Sequence, residues 1–213
     1  MNELTRRERE QQNMIETIIA TAGELFCKQG YENTFMDDIA KASEYTKRTI
    51  YKYFINKEDL FFAVALKGYQ QLASMIGANN GETGFDKIRS AYYGFYEFYK
   101  QFPQMLQLIN MSGIIKTASA NSETPYMLKF MEVDKELFGS ILNMFMTGKA
   151  DRSIRMDVDL PMLAFSSVYM ATGFFQMLSL SGDTYTSHFG MDKDVFVKFS
   201  IDMMLETLRS KEC

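Results

Sequence analysis

The chain has no tryptophan, a single histidine, two cysteines and three prolines in 213 residues. Cys27 and Cys213 stand near opposite ends without metal-ligand spacing, so neither a disulfide framework nor a zinc site is expected. His188, in TYTSHFG, can complete neither a Ser/His/acid nor a Cys/His arrangement, and reads as a polar loop residue. A glycine-rich phosphate loop is missing too. These absences argue against an enzyme, and no catalytic residue, metal site or cofactor is expected. The reducing cytoplasm is the natural compartment, and the charged stretch MNELTRREREQQN does not read as a signal peptide.

Another lack is local. The chain is acidic overall, with 23 Lys+Arg against 27 Asp+Glu, yet no acid occurs from Tyr45 to Lys57, where Lys47, Arg48, Lys52 and Lys57 form a basic, tyrosine-studded island. Charge is also missing from LPMLAFSSVYMATGFFQMLSLSG, Leu160 to Gly182, which is long enough to span a bilayer as a helix. Its serines, Thr172, Gln176 and Pro161, and the want of a Lys/Arg-rich flank, favour instead a helix buried on most of its circumference in a soluble protein.

What is present is helical periodicity nearly throughout, with 46% hydrophobic residues to build a core. Met14, Ile15, Ile18, Ile19, Ala22, Leu25 and Phe26 form one apolar stripe, closed by Gly30. Thr34 with Asp37 reads as a capping-box variant opening a short helix, Thr46 opens another, and Asn56 with Asp59 opens a longer one. IGANNGETG is a turn-rich break, after which helices are expected at about Phe85–Phe102, Pro103–Ile115, Thr124–Thr147, Asp159–Leu180 and Asp192–Arg209.

On the helix opened by Thr46, Ile50 and Phe54 face inward, which brings Lys47, Arg48, Tyr51 and Lys52 out on the solvent side. With the preceding short helix and the tight Ala42-to-Tyr45 turn, this spacing predicts a helix-turn-helix whose second helix suits the major groove. Basic side chains there can reach guanine edges, and threonine and tyrosine hydroxyls can hold phosphates. Four basic residues alone would also suit a plain solvated surface.

The stretch IIATAGELFCKQGYENTFMDDIAKASEYTKRTIYKYFINKEDLF resembles the DNA-binding domain of TetR-family transcriptional regulators, through its ELF, GY, DIA, TK-x-TIY-x-YF and KE-x-L elements in order. The resemblance spans roughly Ile15 to Leu66. It implies an all-α fold, with an N-terminal three-helix helix-turn-helix domain over residues 1–57 and a helical effector-binding and dimerisation domain over residues 58–213. It further implies a homodimer on an inverted-repeat operator in double-stranded DNA, with Thr34, Thr46, Thr49, Tyr51, Tyr53 and Lys57 on the backbone. Lys47 and Arg48 are then the candidates for base reading, and Lys52 is a further DNA-binding candidate. Ser43, Glu44 and Tyr45 stand where the family usually has Ala-Gly-Val, and Arg48 stands where many members have glycine. Glu44 should therefore be strained in a left-handed turn, and the operator sequence does not carry over. Arg6, Arg7 and Arg9 could reach a minor groove as an arm or form an exposed extension of the first helix.

Beyond residue 85, Tyr92, Tyr96 and Tyr99 share one helical face, and with Met105 and Met131 they are the candidates for lining a mostly apolar small-molecule pocket. A buried tyrosine row suits a core equally well. The resemblance pairs the last two long helices with their dimer mates, and Val195, Phe199, Met203 and Leu205 to Leu208 read as one apolar side of the second. Such pairing would cover the uncharged segment and remove the need for a membrane. Together these readings give an effector-released repressor; a ligand-independent DNA binder and a membrane-associated helical protein are the alternatives.

Overall fold

The computed structural model describes residues 5–77, 81–118 and 123–210. Within them the chain forms α1 (Arg6–Gln29), α2 (Met36–Ala42), α3 (Lys47–Ile50), α4 (Lys57–Gly77), α5 (Gly84–Gln101), α6 (Pro103–Asn110), α7 (Ser112–Ala118), α8 (Pro125–Ala150), α9 (Leu160–Ser181), α10 (Thr184–His188) and α11 (Lys193–Glu206). The fold is all-α; Ile154 and Arg209 add one isolated antiparallel bridge. Two compact units result, one running to Tyr69 and including Leu108–Val133, the other made of Gln70–Gln107 and the chain from Asp134 onward.

In the first unit, α1 begins with a capping box in which Thr5 Oγ1 accepts the Glu8 N–H and the Glu8 carboxylate accepts the Thr5 N–H. Its first two turns are solvent-exposed, so the arginines of this segment lie on a helical extension, with Arg6 paired to Glu10 at 2.9 Å. From Ile18 onward one face is buried through Ile19, Ala22 and Phe26, and Gly30 ends the helix at φ 82°, a conformation glycine adopts without strain. Phe26, Tyr31, Phe61, Phe62 and Phe130 then form a chain of ring contacts with centroids 5.1 to 5.9 Å apart. Burying each such phenylalanine contributes about 1.5–3 kcal/mol, and this cluster fixes α1 and α4 around the short helices.

The cap of α2 differs from the expected Thr34–Asp37 pair. Phe35 is the N-cap, and Asp38 accepts its N–H at 3.2 Å. Thr34 is instead drawn backwards, its hydroxyl donating to the Gly30 carbonyl at 2.7 Å. For α4 the expected cap is present, with Asn56 Oδ1 accepting the Asp59 N–H at 2.8 Å. The Asp59 carboxylate, fully buried, accepts the Ile55 N–H at 3.1 Å and the Tyr126 N–H of the first α8 turn at 2.9 Å.

In the second unit α5 opens on a Thr83–Asp86 capping box and buries Ile88, Tyr92, Phe95, Tyr96 and Tyr99. Phe175 of α9 meets Phe95 edge-on at 4.8 Å, and α11 turns Val197, Ile201 and Leu205 inward. Close approach of backbones needs glycine at two points: a Cβ on Gly84 would fall 2.0 Å from the Gly148 nitrogen, and one on Gly94 would fall 2.3 Å from the Met75 carbonyl oxygen.

Four sequence expectations change. The helix expected over Pro103–Ile115 is split at Met111, whose N–H bonds the Leu108 carbonyl three residues back and tightens the turn. His188 ends a short helix, α10, rather than lying in a loop. On α11, Leu205 and Leu208 do not share the side of Val195, Phe199 and Met203: the two leucines are buried, whereas Val195 and Phe199 are each 66% exposed. α9, the one helix among the described residues long and apolar enough to cross a membrane, is covered on one side by Leu163, Ala164, Ser167, Phe175 and Leu178. Its other side, with Met162, Phe165, Tyr169, Met170, Met177 and Leu180, is open in the single chain, so the expected burial of most of its circumference is not met within one protomer.

Candidate nucleic-acid interface and apolar cavity

The segment between α2 and α3 closes α2 with a Schellman motif. The Tyr45 N–H bonds the Ala40 carbonyl at 3.1 Å, the Glu44 N–H bonds the Lys41 carbonyl at 3.4 Å, and Glu44 takes φ 60°. Left-handed backbone at a non-glycine residue costs about 1–2 kcal/mol. Ser43 supports the turn through its hydroxyl, which donates to the Ile39 carbonyl at 2.7 Å.

Thr46 then caps α3, its Oγ1 accepting the Thr49 N–H at 3.1 Å and lying 2.9 Å from Thr49 Oγ1. The regular helix is one turn, prolonged by tighter bonds from the Lys52 N–H to the Thr49 carbonyl and from the Tyr53 N–H to the Ile50 carbonyl. Ile50 and Phe54 are fully buried and set the orientation of this turn. Arg48, Tyr51 and Lys52 consequently face solvent on the other side, beside Thr46 and the half-buried Thr49 and Tyr53. Lys47 is exposed as well, but its ammonium meets the Asp37 carboxylate at 2.6 Å, and that hydrogen bond pushes the lysine pKa up.

The other two expected contacts are placed differently. Thr34 is fully buried, with its hydroxyl committed to Gly30 and accepting from Gln29 at 3.3 Å. Lys57 turns toward the loop between α1 and α2, its ammonium 4.2 Å from the Tyr31 ring centroid, 5.9 Å from that of Phe35 and 3.4 Å from the Glu32 carbonyl oxygen. Burial lowers the Lys57 pKa, against the pull of Glu32, and raises the Tyr31 phenol to about 12, with Glu58 and Glu32 adding to it. Asp37 was missed by sequence reasoning because its role depends on a partner in another helix. Phe35 and Ile55 are each 63% exposed.

Residues 18–64 match the family model of bacterial regulatory proteins of the tetR family. This match places a tetR-family domain in the N-terminal part of the chain. The similarity of fold extends over nearly the whole chain. A tetR-family bacterial regulatory protein from Rhodococcus RHA1 is similar with a TM-score of 0.69 at 15% identity, over 93% of this chain and 98% of that one. The tetR-family regulator PfmR from Thermus thermophilus gives 0.68 at 17% identity, over 92% and 99%. The fatty acid degradation regulator FadR from Bacillus halodurans gives 0.65 at 20% identity, over 91% and 99%. No curated protein matches the chain in sequence. The fold is that of tetR-family structures, and the segment that matches the family model stands at its N-terminal end.

In the second compact unit a cavity of about 70 Å³ lies between α4, α5, α8 and α9, with Ile76, Tyr92, Phe95, Met144, Phe145 and Ser167 in its wall. The Tyr92 hydroxyl lies 2.9 Å from Ser167 Oγ and 3.2 Å from the Ser167 carbonyl oxygen. Of the five residues expected to line a pocket, Tyr92 alone borders this cavity. Tyr96 is one turn further along α5, where its hydroxyl donates to Asp194, and Tyr99 stacks beside it under the Lys193 ammonium at 5.3 Å. Met105 is half-buried on α6 away from the cavity wall, and Met131 belongs to the other compact unit.

Proposed function

We propose that the protein is a homodimeric, effector-responsive repressor that binds an inverted-repeat operator and is released from it by a small, mostly apolar molecule. The observation that carries this reading is the Thr46-capped turn, which presents Arg48, Tyr51 and Lys52 together on its exposed side. Residues 1–57 form the DNA-binding domain in this reading. Arg48 reads a base, Lys47 and Lys52 assist, and Thr46, Thr49, Tyr51 and Tyr53 hold the phosphate backbone. Thr34 and Lys57 act from behind, by fixing the loop between α1 and α2. A protein working on operator DNA acts in the cytoplasm.

Residues 58–213 take the effector and form the dimer. The open side of α9 and the Val195, Phe199 and Met203 side of α11 are apolar surfaces of the kind that obligate dimers bury. Such a pairing accounts for α9 without a membrane. Cavity occupancy acts on Ile76 near the C-terminal end of α4, whose first turn closes the DNA-binding domain. A ligand that disfavours the headpiece spacing of two successive major grooves, roughly 34–36 Å, lowers operator affinity, and operator weakens the ligand by the same factor.

The test is selection from a random duplex library with purified protein at two salt concentrations, because phosphate contacts make affinity steeply salt-dependent. Enrichment of an inverted repeat supports a sequence-specific dimer. Recovery of no motif at either salt concentration removes the reading.

A further inference from the structure

We propose that the cavity takes a small uncharged molecule, a single ring or short chain bearing one hydroxyl, which donates its hydrogen bond to the Tyr92 oxygen. This rests on reading the cavity as the effector site. Tyr92, Ser167 and Thr172 are the polar residues of its wall, the others are apolar, and none carries a charge. A carboxylate or ammonium buried there would lose its hydration with nothing to replace it, at a cost of several kcal/mol or more.

The hydrogen-bond inventory around Tyr92 defines the polar group further. A phenol has one donor and two acceptor sites. The Tyr92 hydroxyl lies 3.2 Å from the Ser167 carbonyl oxygen and 2.9 Å from Ser167 Oγ, and whichever of the two hydroxyls donates in the shorter contact, Ser167 fills at most one acceptor site on the Tyr92 oxygen. One acceptor site on the Tyr92 oxygen stays open, and it suits a ligand O–H rather than a carbonyl. Burial pushes the Tyr92 pKa up, so the phenol keeps its proton at neutral pH.

Size sets the other limit. An engineered apolar cavity of about 150 Å³ holds benzene, so at about 70 Å³ the present cavity admits one ring only with movement of its walls. Met144, flexible and polarizable, is the wall residue best able to give. Large or multi-ring ligands are excluded by the same arithmetic.

The probes are phenol, toluene and benzoate, measured by titration calorimetry on the full chain without DNA at pH 7. Phenol is expected to bind at least about 100-fold tighter than benzoate and about tenfold tighter than toluene. In Tyr92→Phe the phenol and toluene affinities should converge to within about twofold. Ala171→Leu, which fills space at the wall without touching the Tyr92–Ser167 bond, should abolish phenol binding while circular dichroism stays unchanged. Equal binding of benzoate, failure of all three probes, or phenol binding indifferent to both substitutions overturns the inference. Operator selection reads the other question separately: a motif without phenol binding removes only this inference, and phenol binding without a motif removes only the regulator reading.

Discussion

The ammonium of Lys47, first residue of the recognition turn, is held 2.6 Å from the carboxylate of Asp37 in the first turn of α2. The pair is solvent-exposed, and such pairs contribute only about 0–1 kcal/mol to stability. In the proposed DNA complex its effect is larger, because an acid standing beside this lysine offsets one positive charge of the surface offered to DNA. Asp37→Asn should therefore leave the melting temperature nearly unchanged and tighten binding to any duplex by a few-fold, on the order of one added phosphate contact. Fluorescence anisotropy at two salt concentrations checks this; a steeper salt slope is the expected signature.

Arg48 has a different place, on the exposed side of the same turn. As a base reader, Arg48→Ala should relax preference at one operator position by about 1–3 kcal/mol and leave other positions unchanged. A uniform loss across all sequences, with a flatter salt slope, would instead assign it to a phosphate. Repeating the duplex selection with the variant distinguishes the two.

The Thr46-capped turn was legible in the sequence because its signals are local: the Thr46 cap, the Ile50 and Phe54 spacing and the breaker before it. Thr34 was not, since its hydroxyl can serve as a forward cap or bond backwards to Gly30, and both choices leave the same pattern. The cavity depended on distant partners. Helical period places Tyr92, Tyr96 and Tyr99 on one face, yet Tyr92 meets Ser167, 75 residues on, while Tyr96 meets Asp194, 98 residues on. α11 carries apolar residues on both sides, so no phase could be read, and Leu205 and Leu208 were grouped with residues they oppose.

Glu44 gives a direct stability test of the turn. At φ 60° it holds a backbone that glycine adopts without a Cβ clash. Its side chain is exposed, so little else is lost on removing it. Glu44→Gly should stabilise the protein by up to about 1 kcal/mol, less whatever glycine gains in the unfolded chain. A chemical denaturation midpoint lower than that of the unsubstituted protein would contradict the strain assigned here.

Asp59 should respond in the opposite sense and more strongly. Its buried carboxylate serves the Ile55 N–H and the Tyr126 N–H, so Asp59→Ala strands two donors from separate segments of the first unit. An unsatisfied buried donor costs about 1–3 kcal/mol, and since both donors here are part-buried the loss should be on the order of 2 kcal/mol. Asp59→Asn retains one acceptor oxygen and should recover part of it. Hydrogen exchange at the Tyr126 amide identifies the cause, because loss of the bond should raise its exchange before global unfolding does.

Phe199 tests the proposed dimer. It is 66% exposed on α11, in line with Val195 and Met203, and the open side of α9 adds Tyr169 at 76% exposure. An isologous interface places each substitution twice, once from each protomer, so Phe199→Glu sets two carboxylates into one apolar contact. Burying even one unpaired charge costs several kcal/mol, which exceeds what a few rim contacts return. The variant should elute at the mass of a single chain, keep its helical circular dichroism and lose affinity for a full inverted repeat. Binding to a half-site should remain, because α3 and its supports lie in the first unit. A Phe199→Glu protein that stays dimeric would move the interface elsewhere and leave the apolar sides of α9 and α11 without an assigned partner.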